Sequence, residues 1–468
     1  MADSSGGGGG GGWDDGASVW TPSPAGQREA LRLLSTPLQD RSPATALSRA
    51  ASEALLEGGG ELDLDEANST FAQAAFNGIN VVAGVGVLSL PFAFLQTGWA
   101  IGAIFLLYLC AVTNHTAKLI GTCMSVDKRI HTYGDLGFFA FGRQGRTFIS
   151  FVFCLELLAA LSMFITLMGD NLFEVLKDHV NTNITTLYIV VTVAVVPTCW
   201  TARLDLLSNL SVIGIFSTVA LLAALLYTGA TTDGTHEQGG SFHNLHLDDF
   251  KPFGKLSSLP YAIGLQMVGF AGHAVFPSIY DSLNEKKRFS SLIDVVYAVC
   301  TTLYMAMGVL GYLLFTRFTK EELTLNLHAI AADSPVVNIT MWLIIINPFS
   351  KFAITLNPLA IIVEGAIIPD GLSPKRRWLF SQVLRTTMSI AAMLLAIFLP
   401  SFATICAFIG AFCSFVVSGI FPIICYLEIF RGQLVPHLRN LNRALLGLNC
   451  LLCVVGTIAV FFPPAGSA

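Results

Sequence analysis

The 468-residue chain carries 26 Lys and Arg against 31 Asp and Glu, a net charge of −5, and only 12% of its residues are charged while 53% are hydrophobic. With a mean hydropathy of +0.66, this lies outside soluble globular usage, and it excludes a nucleic-acid surface, whose phosphate contacts need concentrated Lys and Arg. Apolar stretches of about 20 residues, the length that crosses a bilayer core of about 30 Å, recur from Thr70 to Phe462. The chain therefore reads as crossing a lipid bilayer many times.

Residues 1–68 form a region apart. Gly6 to Gly12 is unbroken glycine, followed by Ser, Pro and Ala, and up to Thr70 eleven acids face four arginines. Such a composition buries too little apolar surface to fold, so a disordered acidic tail is expected. The first apolar run begins too late for a cleavable signal peptide, so the first helix must itself insert. Within the tail, Glu29-Ala30-Leu31-Arg32-Leu33-Leu34 matches an acidic dileucine address, which marks Glu29, Leu33 and Leu34 as a docking point for a sorting adaptor.

Residues 69–463 read as one all-α integral membrane domain. Hydrophobic runs between turn and charge signals place eleven helices near 70–96, 99–123, 146–176, 186–203, 208–229, 257–281, 291–316, 335–366, 377–399, 401–430 and 442–462. The runs are continuously apolar instead of alternating, which excludes barrel strands. Alternate loops hold fourteen Lys and Arg, among them Lys128, Arg129, Lys286, Lys287, Arg288 and Lys375 to Arg377, whereas the opposite loops hold five. The positive-inside bias puts the tail in the cytosol and the C-terminus and the 230–256 loop on the far side. The sequon Asn183-Ile184-Thr185 falls in a far-side loop, where a glycan is possible, whereas Asn114-His115-Thr116 lies inside a helix.

The ten cysteines lie almost wholly in apolar spans, so no disulfide framework is expected. Cys450-x-x-Cys453 has no partner ligands and reads as packing. His243-x-x-His246 with Asp248 and Asp249 resembles half a zinc site in a polar loop, with His236 nearby, but no metal is expected there.

Helices one and six are interrupted where a membrane helix should be regular. Asn77 to Pro91 aligns with Ile263 to Pro277 at a constant offset of 186 residues: Gly78 falls on Gly264, Asn80 on Gln266, Gly86 on Gly272 and Pro91 on Pro277. The two segments open successive sets of five helices, as a five-plus-five inverted repeat requires. Unwinding frees amides and carbonyls at the membrane centre, where only a polar ligand, an ion, water or protein can satisfy them. An amino acid fits, its carboxylate on the N–H groups and its ammonium on the carbonyls. The expected substrate-binding set is therefore Asn80, Gly84, Val85, Gly86, Gly269, Phe270, Ala271, Gly272 and His273. Close helix packing by small residues would use the same glycines. Gly84-x-Gly86-x-x-Ser89 is not a dinucleotide motif, since the third glycine and the βαβ unit are missing.

At these residues the sequence resembles the amino acid/auxin permease family. Asn77 to Pro91, Tyr133-Gly134-Asp135-Leu136 with Gly142, Asn347-Pro348-Phe349-Ser350-Lys351-Phe352-Ala353 and Asn357-Pro358-Leu359 carry the likeness, which covers residues 68 to 462 and is nearest the plant and fungal vacuolar amino acid transporters. The resemblance implies an eleven-helix inverted-repeat fold, neutral amino acid substrates, proton coupling, no sodium requirement and no cofactor beyond a proton gradient. Ionisable residues within the spans are the coupling candidates. Glu156, deep in helix three, can take a proton, and Lys351, near the middle of helix eight, supplies a fixed ammonium; interhelical hydrogen bonding and ion pairing are their structural alternatives. Asp294, Glu364 and Arg385 lie nearer the span ends. With no nucleophile-and-base set, phosphate loop or metal cluster in the spans, an enzyme is not expected. The function expected is a proton-coupled secondary transporter of mainly neutral amino acids in the vacuolar or another organelle membrane; an amino acid-sensing receptor using the same pocket is the alternative.

Overall fold

The computed structural model describes residues 69–200, 212–233, 238–369, 372–399 and 401–463, and among them every regular element is helical. The acidic tail with Glu29, Leu33 and Leu34 lies outside the described residues, as does His236.

The first span is a bent pair, α1 (Phe71–Val82) and α2 (Leu90–Thr97), with a 3₁₀ turn Val85–Ser89 between them. Then come α3 (Trp99–Met124), α4 (Tyr133–Leu176), α5 (Ile184–Cys199) and α6 (Val212–Thr231). The sixth span is also divided, into α7 (Leu259–Met267) and α8 (Phe276–Ser282). It leads to α9 (Phe289–Phe315), a short connecting helix α10 (Leu323–Ala331), α11 (Pro335–Ile367) and α12 (Pro374–Phe398). The tenth span runs α13 (Phe402–Phe408), a π-helical stretch Ile409–Ile420 and α14 (Phe421–Ile429), and α15 (Pro436–Val460) ends the domain.

By length and apolarity nine helices among the described residues can cross a membrane, and the bent first pair makes ten. The fourth expected span, α5, has 16 residues, about 24 Å at 1.5 Å per residue and thus short of a full hydrocarbon core. The third helix also starts earlier than its apolar run, because a polar segment is helical too. Thr132 and Asp135 form a reciprocal cap at its start, and Gly142, at φ 64° and ψ −152°, breaks it before the apolar part begins. Arg146 reaches back across that break to Asp135 at 2.8 Å, which gives the Tyr133-Gly134-Asp135-Leu136 stretch a structural role.

Burial sorts the spans into a core and a periphery. The sixth span is 89% buried over its apolar window and the tenth 78%, whereas α12 and α15 are each 22% buried. The peripheral pair turns Trp378, Phe380, Val383, Leu451, Val454 and Ile458 outward, where lipid tails accept them as readily as a protein core would. The sixth and tenth spans meet backbone to backbone: a Cβ added at Gly410 would lie 1.8 Å from the carbonyl oxygen of Gly264. That oxygen cannot rotate away, so Gly410→Ala is expected to destabilise the protein by about 1–3 kcal/mol through overpacking, read as a lower melting temperature in detergent. An unchanged melting temperature would show that the contact is not needed.

Candidate functional site

The two broken spans cross at the centre of the domain, and each break has its own geometry. After Val82 the chain makes an inverse γ-turn: Ala83 sits at φ −70° and ψ 64°, and the Gly84 amide donates to the Val82 carbonyl at 2.6 Å. Gly84 is extended, and the second half then begins at Val85, so that Phe71–Val82 and Val85–Thr97 meet at 49°. In the sixth span a 3₁₀ turn Val268–Phe270 is followed by extended Ala271 and by Gly272 at φ 136°. Only glycine is at ease in that region. This break falls at Ala271–Gly272, two residues later than the offset from Ala83–Gly84 would place it. Pro91 and Pro277 nevertheless occupy the same place, the second residue of α2 and of α8, where a missing N–H does no harm.

A tyrosine joins the two breaks. The Tyr304 hydroxyl, fully buried on α9, lies 2.6 Å from the Val82 carbonyl and 2.8 Å from the Gly269 carbonyl, and its single proton is shared between them. The sequence did not single it out, because α9 carries three tyrosines, Tyr297, Tyr304 and Tyr312, all buried. Gly86 belongs to the same crossing, since a Cβ there would meet Val268 Cγ1 at 2.8 Å.

A cavity of about 290 Å³ opens against both breaks. Of the expected binding residues, Asn80, Gly84, Val85, Gly86, Ala271 and Gly272 line it. Gly269, Phe270 and His273 are turned elsewhere. Phe270 stacks on Tyr297 at 5.9 Å and meets Tyr304 edge-on at 5.4 Å. His273 is buried against α3, its Nε2 3.0 Å from both Thr116 Oγ1 and the Thr113 carbonyl. The first amides of Val85–Thr97 have no acceptor within their own helix, so a positive half-helix end meets the cavity at Val85 and Gly86, while α1 brings the negative end of its dipole.

Glu156 and Lys351 both line this cavity. Glu156 Oε1 accepts a hydrogen bond from Ser414 Oγ at 3.2 Å, in the π-helical stretch of the tenth span. Wide turns of this kind recur at functional sites. Lys351 rests against α6: a Cβ at Gly214 would lie 2.8 Å from its Nζ and 3.2 Å from Asn347 Oδ1. The remaining span charges serve elsewhere. Asp294 pairs with Lys118 at 2.5 Å on an exposed face, and Glu364 pairs with Arg385 at 3.0 Å between α11 and α12. In the 230–256 loop, His243 Nε2 lies 3.1 Å from the Ala230 carbonyl.

Tyr304→Phe keeps the ring and removes the hydroxyl that both carbonyls share. The Val82 carbonyl keeps the Gly84 amide, whereas the Gly269 carbonyl loses the hydroxyl; a buried acceptor left short of a donor costs about 1–3 kcal/mol, so a melting temperature several degrees below wild type is expected for the purified variant. A wild-type melting curve would mean that the two breaks do not depend on this link.

Residues 67–463 match the family described as transmembrane amino acid transporter protein. The chain is 33% identical over 410 residues to amino acid transporter AVT1D of Arabidopsis thaliana, covering 85% of this chain and 70% of that protein. It is 32% identical over 403 residues to AVT1E of the same plant, covering 83% and 71%. Among solved structures, the substrate-bound outward-open state of a Na+-coupled sialic acid symporter superposes with a TM-score of 0.54, covering 91% of this chain and 96% of that one. At 14% identity that likeness speaks for the fold alone. These relatives are transporters, not enzymes, and the match runs from before the first broken helix to the end of the last. The chain belongs to the transmembrane amino acid transporter family.

Proposed function

We propose that this protein carries neutral amino acids across the vacuolar or another organelle membrane, driven by a proton gradient, with its N-terminal tail in the cytosol. The observation that carries the reading is that Glu156 and Lys351 share one cavity with both helix breaks. The half-helix ends take the carboxylate and ammonium common to all amino acids. One acid and one base in the wall balance each other, so the cavity offers no surplus charge to a charged side chain, and Phe153, Leu157, Met163, Phe164 and Ile354 favour an apolar or small one.

The two ionisable groups have different parts. A carboxyl group within a membrane can become neutral by taking a proton, whereas a central Lys costs roughly 2.5–3.5 kcal/mol by insertion scales unless it finds partners. Glu156 is the proton carrier in this reading, its proton state felt by the tenth span through Ser414. Lys351 holds the eleventh helix, α11, against α6 beside the cavity. No metal and no cofactor enters the cycle.

Proteoliposomes separate these parts. Glu156→Gln imitates the protonated carboxyl, so counterflow exchange of a neutral amino acid is expected to persist while accumulation driven by an imposed pH gradient falls to background. Lys351→Ala is expected to lose both modes. Wild-type pH-driven uptake by the Glu156→Gln protein would remove Glu156 from the role, and substrate binding without any uptake by the unaltered protein would turn the reading into that of an amino acid receptor.

The organelle assignment draws on the sequence's resemblance to the plant and fungal vacuolar amino acid transporters and on the dileucine address. Replacing Leu33 and Leu34 by Ala is expected to shift the protein from the vacuolar membrane to another compartment in fluorescence microscopy. Unchanged localisation would remove Glu29, Leu33 and Leu34 from the account.

A further inference from the structure

A second carboxyl site lies far from Glu156 on the same helix. Asp170 follows Glu156 by fourteen residues on α4, about 21 Å at 1.5 Å per residue, towards the end that the charge bias places on the far side. There its side chain meets that of Glu322, the residue immediately before α10. Glu322 is fully buried; its Oε2 accepts from Asn171 Nδ2 at 2.7 Å. Its Oε1 receives no N–H or O–H from a protein donor among the described residues. Asp170 Oδ1 accepts from the Tyr188 hydroxyl on α5 at 2.7 Å.

Two adjacent carboxylates, one fully buried and one half-buried, disfavour being ionised together, since like charges at that range oppose each other with reduced screening. Among the described residues no cation is paired with either carboxyl group. Lys177 and Lys320 both turn to Glu174, at 2.7 and 3.8 Å. The other groups facing the pair are Tyr188 on α5, Glu174 on α4, Cys406 on α13 and Glu321 beside Glu322, with Tyr261 on α7 behind Glu321; His328 is the remaining titratable group of α10. None is a base committed to the pair. Glu321 has separate work: it accepts from Ser401 Oγ at 2.9 Å and from the Ala403 amide at 3.0 Å at the start of α13. We propose that Asp170 and Glu322 form a second proton-binding site, one proton shared between the two carboxyl groups, which pins α10 against the far-side end of the domain when it is filled.

The placement gives the site its consequence. α10 packs directly on the 3₁₀ turn Val85–Ser89 of the broken first span and on α4, α6 and α11, and its own Leu323, Thr324 and Leu327 are buried. Losing the shared proton leaves two adjacent negative charges, which favours withdrawal of Glu322 and with it α10. Burial and the Asp170 charge push the Glu322 carboxyl well above the ordinary carboxylate range. The raised value means that the closed state holds a proton that the open state releases. Closure is thus present at low pH and is lost as pH rises through the value of the closed pair.

The inference rests on the transport reading only for the existence of a route beneath α10, so its test uses a readout other than transport. Amide hydrogen exchange of residues 320–332 is measured by mass spectrometry on the full chain in lipid nanodiscs between pH 5 and pH 8, corrected for the intrinsic pH dependence of exchange. If closure holds one more proton than opening, the opening constant of wild type rises by up to about tenfold per pH unit. Glu322→Gln keeps the shape, accepting from Asn171 and donating to Asp170, and is expected to flatten that dependence while keeping the segment protected; Glu321→Gln is expected to retain it. A corrected exchange that ignores pH in wild type, an undiminished slope in Glu322→Gln, or protection that follows sodium concentration instead of pH would each overturn the proposal. Uptake on the same preparations keeps the two ideas apart: active pH-driven uptake with flat exchange sinks the latch alone, and pH-dependent exchange without uptake sinks the transport reading alone.

Discussion

A backbone that leaves the helix inside a bilayer must find partners for its amides and carbonyls, because hydrocarbon offers none. In this protein the obligation falls twice, at Ala83–Gly84 and at Ala271–Gly272, and one side chain answers for both. Tyr304 sets its hydroxyl between the Val82 and Gly269 carbonyls, which ties the two interrupted spans to α9 and to each other. Val85 and Gly86, at the start of the second half of the first span, line the cavity. In the proposed reading, the substrate binds where the broken backbone meets the cavity. The close approach of the sixth and tenth spans at Gly264 and Gly410 serves the same end, since it brings Ser414 and the π-helical stretch up to Glu156.

The ionisable groups divide along α4 by depth. Glu156 belongs to the cavity wall and to the breaks, whereas Asp170 lies at the far end, where Asn171, Tyr188 and Glu322 surround it. One helix thus carries an acid in the cavity wall and an acid near its end, and both are neutral only when protonated. Membrane carboxyls of this kind suit a proton-driven cycle because the proton changes both the charge that lipid must tolerate and the contacts that hold neighbouring helices.

Much of this was legible in the sequence, and the reasons are physical. Span positions follow from continuous apolar runs, and the breaks from paired Gly and Pro at an offset of 186 residues. Pro91 and Pro277 landed at matching places because proline's lost N–H is harmless only in a first helical turn. Other features were hidden. The polar first segment of α4 forms a helix through the Thr132–Asp135 cap and the Arg146 ion pair, which no hydropathy scan registers. His273 looked like a pocket residue because it adjoins Gly272, yet the positive φ of that glycine turns the chain so that the imidazole meets Thr113 and Thr116 on α3. Tyr304 and Glu322 were missed because their partners are remote in sequence. Nothing local distinguishes a phenol that bridges two carbonyls from one that packs, or a loop glutamate that is buried from one in water.

The central claim is that a proton gradient drives an amino acid through the cavity between the two breaks. It is tested most directly by loading purified wild-type protein into sodium-free proteoliposomes and following a radiolabelled neutral amino acid with and without an imposed pH gradient. Accumulation above equilibrium that requires the gradient and collapses on adding a protonophore is the expected result. Equilibration to the same level with and without the gradient, or accumulation only when sodium is supplied, would contradict the account.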